Sequence, residues 1–85
     1  MTWQIVFSKQ AAKDAKKITT AGLKSQAQKQ IATLQENPYA PPYEKLVGDL
    51  QGYYSRRINI KHRLVYQIFD EQKVVKILRL WSHYE

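Results

Sequence analysis

Hydrophobic and polar positions divide the chain into a helical first part and a strand-rich second part. Residues 3–7 form a short run of β-forming residues, and Ser8 after it is a favourable helix N-cap. Apolar residues then recur at helical spacing, at Ala11, Ala12, Ala15 and Ile18. This pattern predicts a strand followed by a helix whose small apolar face packs closely and whose lysine-rich side lies in solvent.

A second helix is predicted after a break at residues 19–22, Thr-Thr-Ala-Gly. Its apolar residues fall on one stripe: Leu23, Ala27, Ile31 and Leu34. Asn37-Pro38 ends it, because a residue before proline disfavours the helical conformation. The two helices are therefore expected to form a hairpin.

Residues 37–44 contain three prolines and predict a stiff, irregular loop that carries two tyrosines and Glu44. Three β-like segments follow, at residues 53–60, 62–69 and 74–81, separated by Lys61 and by a turn at 70–73. The sequence therefore predicts an α+β fold, a single compact domain of residues 1–85. An N-terminal strand and a helical hairpin would pack on a mostly antiparallel four-stranded sheet, with a site on the other face near the C-terminus.

Composition narrows the possible functions of the chain. Eighty-five residues support one domain with a thin core, and the absence of cysteine excludes disulfides and thiolate metal sites. The two histidines have no carboxylate cluster at ligand spacing, and the three glycines are isolated, so neither a metal centre nor a phosphate-binding loop is predicted. Without a signal segment or a long apolar run, we expect a cytoplasmic protein with no membrane span.

The net charge of +7 favours polyanionic partners such as RNA, DNA, an acidic protein or a membrane surface. The helical part carries mainly lysines, which are usually solvated surface. The arginines, whose planar guanidinium groups suit phosphate, all lie in the strand-rich part: Arg56, Arg57, Arg63 and Arg79. Strand alternation places Arg56 and Arg57 on opposite faces of the sheet.

Glu44, a strand arginine and the near-terminal His83 are the groups that metal-free RNA cleavage requires. The carboxylate would take the proton of the 2′-hydroxyl, the arginine would stabilise charge on the phosphoryl oxygens, and the imidazolium would protonate the 5′-oxygen leaving group. The products would be a 2′,3′-cyclic phosphate and a 5′-hydroxyl, and DNA would be inert because it lacks the 2′-hydroxyl.

Four motifs resemble the YoeB/Txe toxins of bacterial toxin–antitoxin modules, within the RelE-like group of ribosome-dependent mRNA endoribonucleases. They are Glu-Lys-Leu at residues 44–46, Leu-Gln-Gly-Tyr-Tyr-Ser-Arg-Arg-Ile at 50–58, His-Arg-Leu-Val-Tyr at 62–66, and the final His83-Tyr84. The order and length of the predicted elements agree with the family over the whole chain. The residue motifs themselves cover only about the C-terminal half.

This resemblance implies Glu44 as general base, His83 as general acid and Arg63 as the phosphate clamp, with Arg57 and Tyr84 binding substrate. Two positions depart from well-known members of the family. Val47 stands where a lysine is often found, and Lys61 stands where an acidic residue often precedes the histidine. Contacts to phosphate or to the ribosome at these two positions are left open.

The resemblance also implies partners. These are a cognate antitoxin of the YefM/Axe type, the 70S ribosome with its mRNA, and operator DNA that is bound only through the toxin–antitoxin complex. A homodimer is possible, and no cofactor is implied.

Several residues have structural roles as alternatives. His62 is expected to be a structural histidine, hydrogen-bonded at a turn, and Arg79 to flank the core or pair with an acid. One of Arg56 and Arg57 is expected to be solvated, with Arg57 favoured as the site residue. Four aromatic residues are expected to pack in the core or at sheet edges rather than to stack on bases: Trp3, Trp81, Tyr53 and Tyr54. Tyr84 instead has room to stack on a nucleotide.

The alternative function is a non-catalytic module that binds RNA or protein through the same arginines and tyrosines. Glu44 argues against it, because a carboxylate beside phosphate repels the substrate unless it accepts a proton. A DNA-binding regulator is disfavoured, since no helix-turn-helix pattern ends in a basic recognition helix.

Overall fold

The computed structural model describes residues 2–46, 48 and 52–81, with the side chain of Trp81 excepted. Its elements are β1 (Gln4–Phe7), α1 (Lys9–Thr20), α2 (Lys24–Glu36), β2 (Glu44–Lys45), β3 (Tyr54–Arg57), β4 (Arg63–Phe69) and β5 (Val74–Trp81). The strands form one sheet in the order β1-β5-β4-β3-β2. Strand β1 runs parallel to β5, and the other neighbouring pairs are antiparallel. The predicted α+β fold, with a helical hairpin on a mostly antiparallel sheet, is confirmed.

The sheet has one strand more than the four predicted. Strand β2 begins at Glu44, where the proline-rich sequence predicted only an irregular loop. Glu44 pairs with Ser55 and Lys45 with Tyr54, and the Leu46 N–H donates to the Tyr53 carbonyl at 3.0 Å. A two-residue strand has no recognisable local pattern, because its pairing depends on a partner strand that is distant in sequence.

The connection between β3 and β4 is longer than the single residue predicted. Residues 58–62 form a loop closed by Asn59, whose Oδ1 accepts from the backbone N–H groups of Lys61 and His62 at 2.8 and 2.7 Å. The same oxygen lies 3.0 Å from Nδ1 of His62. The prediction that His62 is a structural histidine hydrogen-bonded at a turn is therefore confirmed.

Ser8 connects the first helix to the sheet. Its Oγ accepts from the Ala11 N–H at 3.0 Å, which caps α1, and donates to the Leu78 carbonyl of β5 at 2.9 Å. At the other end of α1, Gly22 has a φ of +77°, a left-handed conformation that glycine adopts without steric cost. This turn reverses the chain between α1 and α2.

The core lies between the helices and one face of the sheet. Buried side chains from the helices meet buried side chains from the strands: Ala11, Ile18, Ala27 and Leu34 on one side, and Leu64, Tyr66, Val75, Ile77 and Leu80 on the other. Alternation in β4 directs Leu64 and Tyr66 toward the helices and leaves Arg63 and Val65 on the opposite face. Within the described ranges, no helix has the length and apolar character required to cross a membrane.

The end of β5 pairs with β4 on one side, and on its other side, beyond β1, it is held by Asp14 of α1 rather than by a strand. The pairing of β1 with β5 stops at Phe7 and Ile77, and a register shift beside β4 leaves Leu78 without a partner there. Asp14 of α1, which is 3% exposed, accepts from the Leu80 N–H at 3.0 Å and from Arg79 Nε at 2.8 Å. The first bond satisfies a backbone N–H group that a neighbouring strand would otherwise pair, and the second confirms that Arg79 pairs with an acid.

Two opposing effects act on the pKa of the Asp14 carboxyl group. Burial raises it, but hydrogen bonds from Arg79, from the Leu80 N–H and from Gln10 outweigh burial, so the pKa falls below 3.8. A lowered carboxyl pKa stabilises the fold above the pKa of the unfolded chain. That stabilisation is lost as the pH falls through the folded-state pKa.

Replacing Asp14 by asparagine is expected to lower the free energy of unfolding by about 1–3 kcal/mol at neutral pH, because charge-assisted hydrogen bonds are lost. Urea unfolding measures this difference, which should shrink as the pH falls below 3.8. Glu36→Gln, a matched change at an exposed position, should alter stability by no more than about 0.5 kcal/mol. An Asp14→Asn loss that stays constant with pH would contradict the assignment.

Candidate active site

Glu44, Arg57 and Arg63 lie together on the face of the sheet turned away from the helices. The ladder places Glu44 opposite Ser55 and Arg57 opposite Arg63, and residues that face each other across antiparallel strands share a side of the sheet. The structure thus brings together three residues that the sequence analysis named for one site.

Glu44 and Arg63 form an ion pair across this face. Arg63 Nη1 donates to Glu44 Oε1 at 2.8 Å, although the two residues are 19 positions apart in the chain and lie on β2 and β4. Strand β3 runs between them, and its residue opposite Glu44 is the small Ser55. The Glu44 side chain is 61% exposed and that of Arg63 is 26% exposed, so both are accessible to a ligand.

Arg57 adds a second cation beside the ion pair. It is exposed and lies directly opposite Arg63. Like charges at facing positions repel each other, and a bound anion would relieve that repulsion. An open cavity of about 150 Å³ lies next to these groups, lined by Pro42, Tyr43, Glu44, Ser55 and Arg57. Two guanidinium groups against one carboxylate leave a net positive surface that suits a phosphate group.

Arg56 lies on the opposite face, as strand alternation predicted. It is only 4% exposed, and its Nε donates to Oε1 of Gln30 on α2 at 3.0 Å. Its Nη1 donates to the Ala40 carbonyl in the loop before β2. Of the two neighbouring arginines, Arg57 is therefore the solvent-exposed one. The burial of Arg56 was not predicted, because the sequence alone does not show that α2 and the loop both supply acceptors.

A row of aromatic rings connects the loop at residues 37–43 to the helix-facing side of the sheet. Tyr39 and Tyr43 each meet Tyr54 edge to face, with ring centroids 6.3 and 5.6 Å apart, and Tyr54 stacks on Tyr66 at 5.8 Å. Trp3 contacts Tyr39 at 6.3 Å. These contacts confirm the predicted packing role of Trp3 and Tyr54. The contacts of Tyr39 and Tyr43 were not predicted, and the only sequence signal for them was the presence of two tyrosines in the loop.

The Tyr66 hydroxyl group is buried beneath this row. Its oxygen makes no hydrogen bond of normal geometry within the described part of the chain, although the Arg56 guanidinium group is near enough to influence it. Burial raises the pKa of Tyr66 to about 12, against the opposing influence of the Arg56 charge. Tyr66 therefore stays neutral and acts as a packing residue.

The remaining named residues are distributed as follows. His83, Tyr84 and Val47 lie outside the described residues. Lys61 is exposed on the loop at residues 58–62. In the described ranges, no group of three or more histidine, aspartate and glutamate side chains could hold a metal ion.

Comparison with known proteins gives consistent matches over the chain. A model of the family described as ParE toxin of type II toxin-antitoxin system, parDE, matches residues 5–85. Toxin YoeB of Mycobacterium bovis is 41% identical over 56 residues, which make up 64% of each chain. The match therefore spans slightly less than two thirds of that curated relative.

Solved structures extend the similarity to the whole fold. The structure described as a YoeB dimer from Staphylococcus aureus is 34% identical, with a TM-score of 0.81, over 99% of this chain and 100% of that one. The YoeB-YefM complex from Staphylococcus aureus gives a TM-score of 0.79 at the same identity and coverage.

The Glu44–Arg63 ion pair is expected to contribute little to stability, because its carboxylate is mostly in solvent. A double-mutant cycle with Glu44→Gln and Arg63→Gln, followed by urea unfolding, should give a coupling free energy of about 1 kcal/mol or less. A substantially larger coupling would indicate that these residues pair mainly to hold the fold together.

Proposed function

Because the chain belongs to the ParE toxin family of type II toxin–antitoxin systems and is a YoeB-like member of it, we propose that it cleaves mRNA in the ribosomal A site. The single observation that carries this proposal is the exposed Glu44–Arg63 ion pair with Arg57 beside it. On this open face of the sheet, a carboxylate that can act as a base lies next to two guanidinium groups that can bind an anion.

In the proposed reaction, Glu44 accepts the proton of the 2′-hydroxyl, and the 2′-oxygen attacks the adjacent phosphorus. The bond from phosphorus to the 5′-oxygen breaks, and His83 protonates that oxygen. The products are a 2′,3′-cyclic phosphate and a 5′-hydroxyl. Arg63 stabilises the negative charge that develops on the phosphoryl oxygens, and no metal ion takes part.

The ion pair has a specific consequence for this mechanism. Without substrate, Arg63 donates to Glu44. A scissile phosphate bound at Arg63 would compete for the same N–H groups, which would free a Glu44 oxygen to accept a proton. Substrate binding would thereby prepare the base, while Arg57 contacts the phosphate or its neighbour from the facing position on β3.

His83 and Tyr84 complete the proposed site. Arg63 faces Trp81 across the ladder between β4 and β5. Position 83 follows Trp81 by two residues in the sequence, and on this basis we propose that its imidazole belongs to the same site. We assign the general acid to His83 and a substrate contact, by stacking on a nucleotide base, to Tyr84.

The proposed partners follow from the same assignment. The YoeB of Staphylococcus aureus is described both as a dimer and in complex with YefM. We propose that this chain likewise binds a cognate antitoxin with an acidic segment that neutralises its +7 surface, and that it can form a homodimer. Operator DNA would be bound only through the antitoxin complex. Action on the 70S ribosome and its mRNA would place the protein in the cytoplasm.

Primer extension tests whether the chain cuts RNA at all. Primer extension on a defined mRNA in a purified translation reaction should reveal discrete A-site cuts by wild type, absent with Glu44→Ala/His83→Ala and absent when ribosomes are omitted. Equal cutting by the double variant would move the active site elsewhere. A folded wild type that cuts nothing would favour the non-catalytic binding module.

Single substitutions separate the loss of cleavage from the loss of antitoxin binding. Arg63→Ala and His83→Ala should each reduce the cleavage rate by about 10²-fold or more, because one removes charge stabilisation and the other a proton donor. Both variants should retain antitoxin binding in a pull-down assay. Lys24→Ala, which removes one exposed positive charge at the start of α2, is the matched control and should cut at the wild-type rate.

A further inference from the structure

The buried Arg56 guanidinium group connects helix α2 to the loop that precedes Glu44. Its Nε bonds to Gln30 on α2, and its Nη1 bonds to the Ala40 carbonyl, four residues before Glu44. We propose that Arg56 is a positioning residue for catalysis: it holds the loop that carries Glu44 in the register from which Glu44 meets Arg63. The inference rests on the proposed function.

Arg56 cannot act on the substrate directly. It is 4% exposed and points to the helix side of β3, whereas Glu44, Arg57 and Arg63 lie on the opposite side. Arg56 therefore makes no direct contact with a substrate bound on that side.

Glu44 needs such an anchor because β2 is very short. Among the residues that the structure describes, Glu44 and Lys45 pair with β3, and the Leu46 N–H adds one bond to the Tyr53 carbonyl. Because β2 is an edge strand, so short a ladder alone holds it weakly. The chain between Ala40 and Glu44 is Pro41-Pro42-Tyr43. Proline fixes its own φ and restricts the residue before it, so a displacement at Ala40 is transmitted along this segment to Glu44.

Other contacts hold the same loop but at different points. Tyr39 Oη donates to Asp70 Oδ1 at 2.6 Å, and Tyr43 packs edge to face against Tyr54. These contacts fix side chains of the loop. Arg56 instead bonds to the loop backbone, at the carbonyl of Ala40, which lies between the two tyrosines and directly before the two prolines.

The chemistry of Arg56 also points to a role other than stability. Burying a guanidinium group is costly, and both of its acceptors are uncharged oxygens. An apolar side chain of similar volume would fill the same space without desolvation. The planar guanidinium group, however, donates to the Gln30 and Ala40 oxygens from two different nitrogens, Nε and Nη1, whereas lysine carries a single nitrogen at its end and methionine has no N–H donor.

The test compares Arg56→Lys and Arg56→Met with wild type in two measurements. Amide hydrogen exchange of residues 39–46 should become at least 5-fold faster in both variants, while exchange in β4 stays within 2-fold. In single-turnover cleavage of ribosome-bound mRNA, the maximal rate should fall at least 10-fold, while the half-saturating ribosome concentration stays within 2-fold.

Ile18→Ala is the control for general loss of stability. Ile18 is buried in the core on α1. The hydrogen bonds and ring contacts described for the loop at residues 37–43 do not involve it. This variant should lower the melting temperature without selectively accelerating exchange in residues 39–46, and below its melting temperature it should retain the wild-type maximal cleavage rate within 2-fold.

The outcomes distinguish the inference from the function on which it rests. Unchanged exchange in residues 39–46, or faster exchange with an undiminished maximal rate, would overturn the role of Arg56 while wild type still cuts. An equal loss of rate in Ile18→Ala would also overturn it, because destabilisation alone would then explain the effect. If wild type itself cuts nothing, the proposed function fails and the inference fails with it.

Discussion

The pairing register between β3 and β4 is the constraint on which the rest of the site depends. Tyr54 faces Tyr66, Arg56 faces Leu64, and Arg57 faces Arg63. A slip of one residue would turn every side chain of β3 to the other face. It would expose the aromatic row, drive Arg57 into the core and remove Arg56 from its acceptors. Burial of the Tyr66 and Leu64 side chains makes such a slip unfavourable, so the packing of the core also sets the arrangement of the charged face.

Side chains of both helices form hydrogen bonds with residues of the sheet. Asp14 of α1 bonds to the end of β5, where β1 no longer continues beside it, and Gln30 of α2 bonds to Arg56 of β3. In each case a helix provides an oxygen acceptor for an N–H group of a strand residue that no neighbouring strand satisfies. The helical hairpin is therefore more than a cover for the core, because it also fixes the two regions of the sheet next to the proposed site.

The charged groups fall into two classes that differ in burial. Asp14 and Arg56 are almost fully buried and have defined structural partners. Their replacement should therefore change the stability of the fold or the geometry of a loop. Glu44, Arg57 and Arg63 remain accessible on an open face, where ion pairs add little to stability. Accessible charge with a fixed arrangement is what a site for an anionic substrate requires.

The sequence by itself determined the element types and the division of each strand into two faces, because these depend on local periodicity and capping. The Ser8 cap, the helical hairpin, the structural His62 and the opposite orientations of Arg56 and Arg57 were all available from short-range patterns. The motifs also named Glu44 and Arg63 for one proposed site, and the structure places the two side chains in contact.

Only the tertiary structure decided which distant groups meet. The Glu44–Arg63 pair joins residues 19 positions apart, and the Arg79–Asp14 pair joins residues 65 positions apart. Strand β2 and the buried position of Arg56 likewise depend on partners supplied by remote segments. No local pattern encodes such contacts, because each exists only after packing of the helices and the sheet has brought the two segments together.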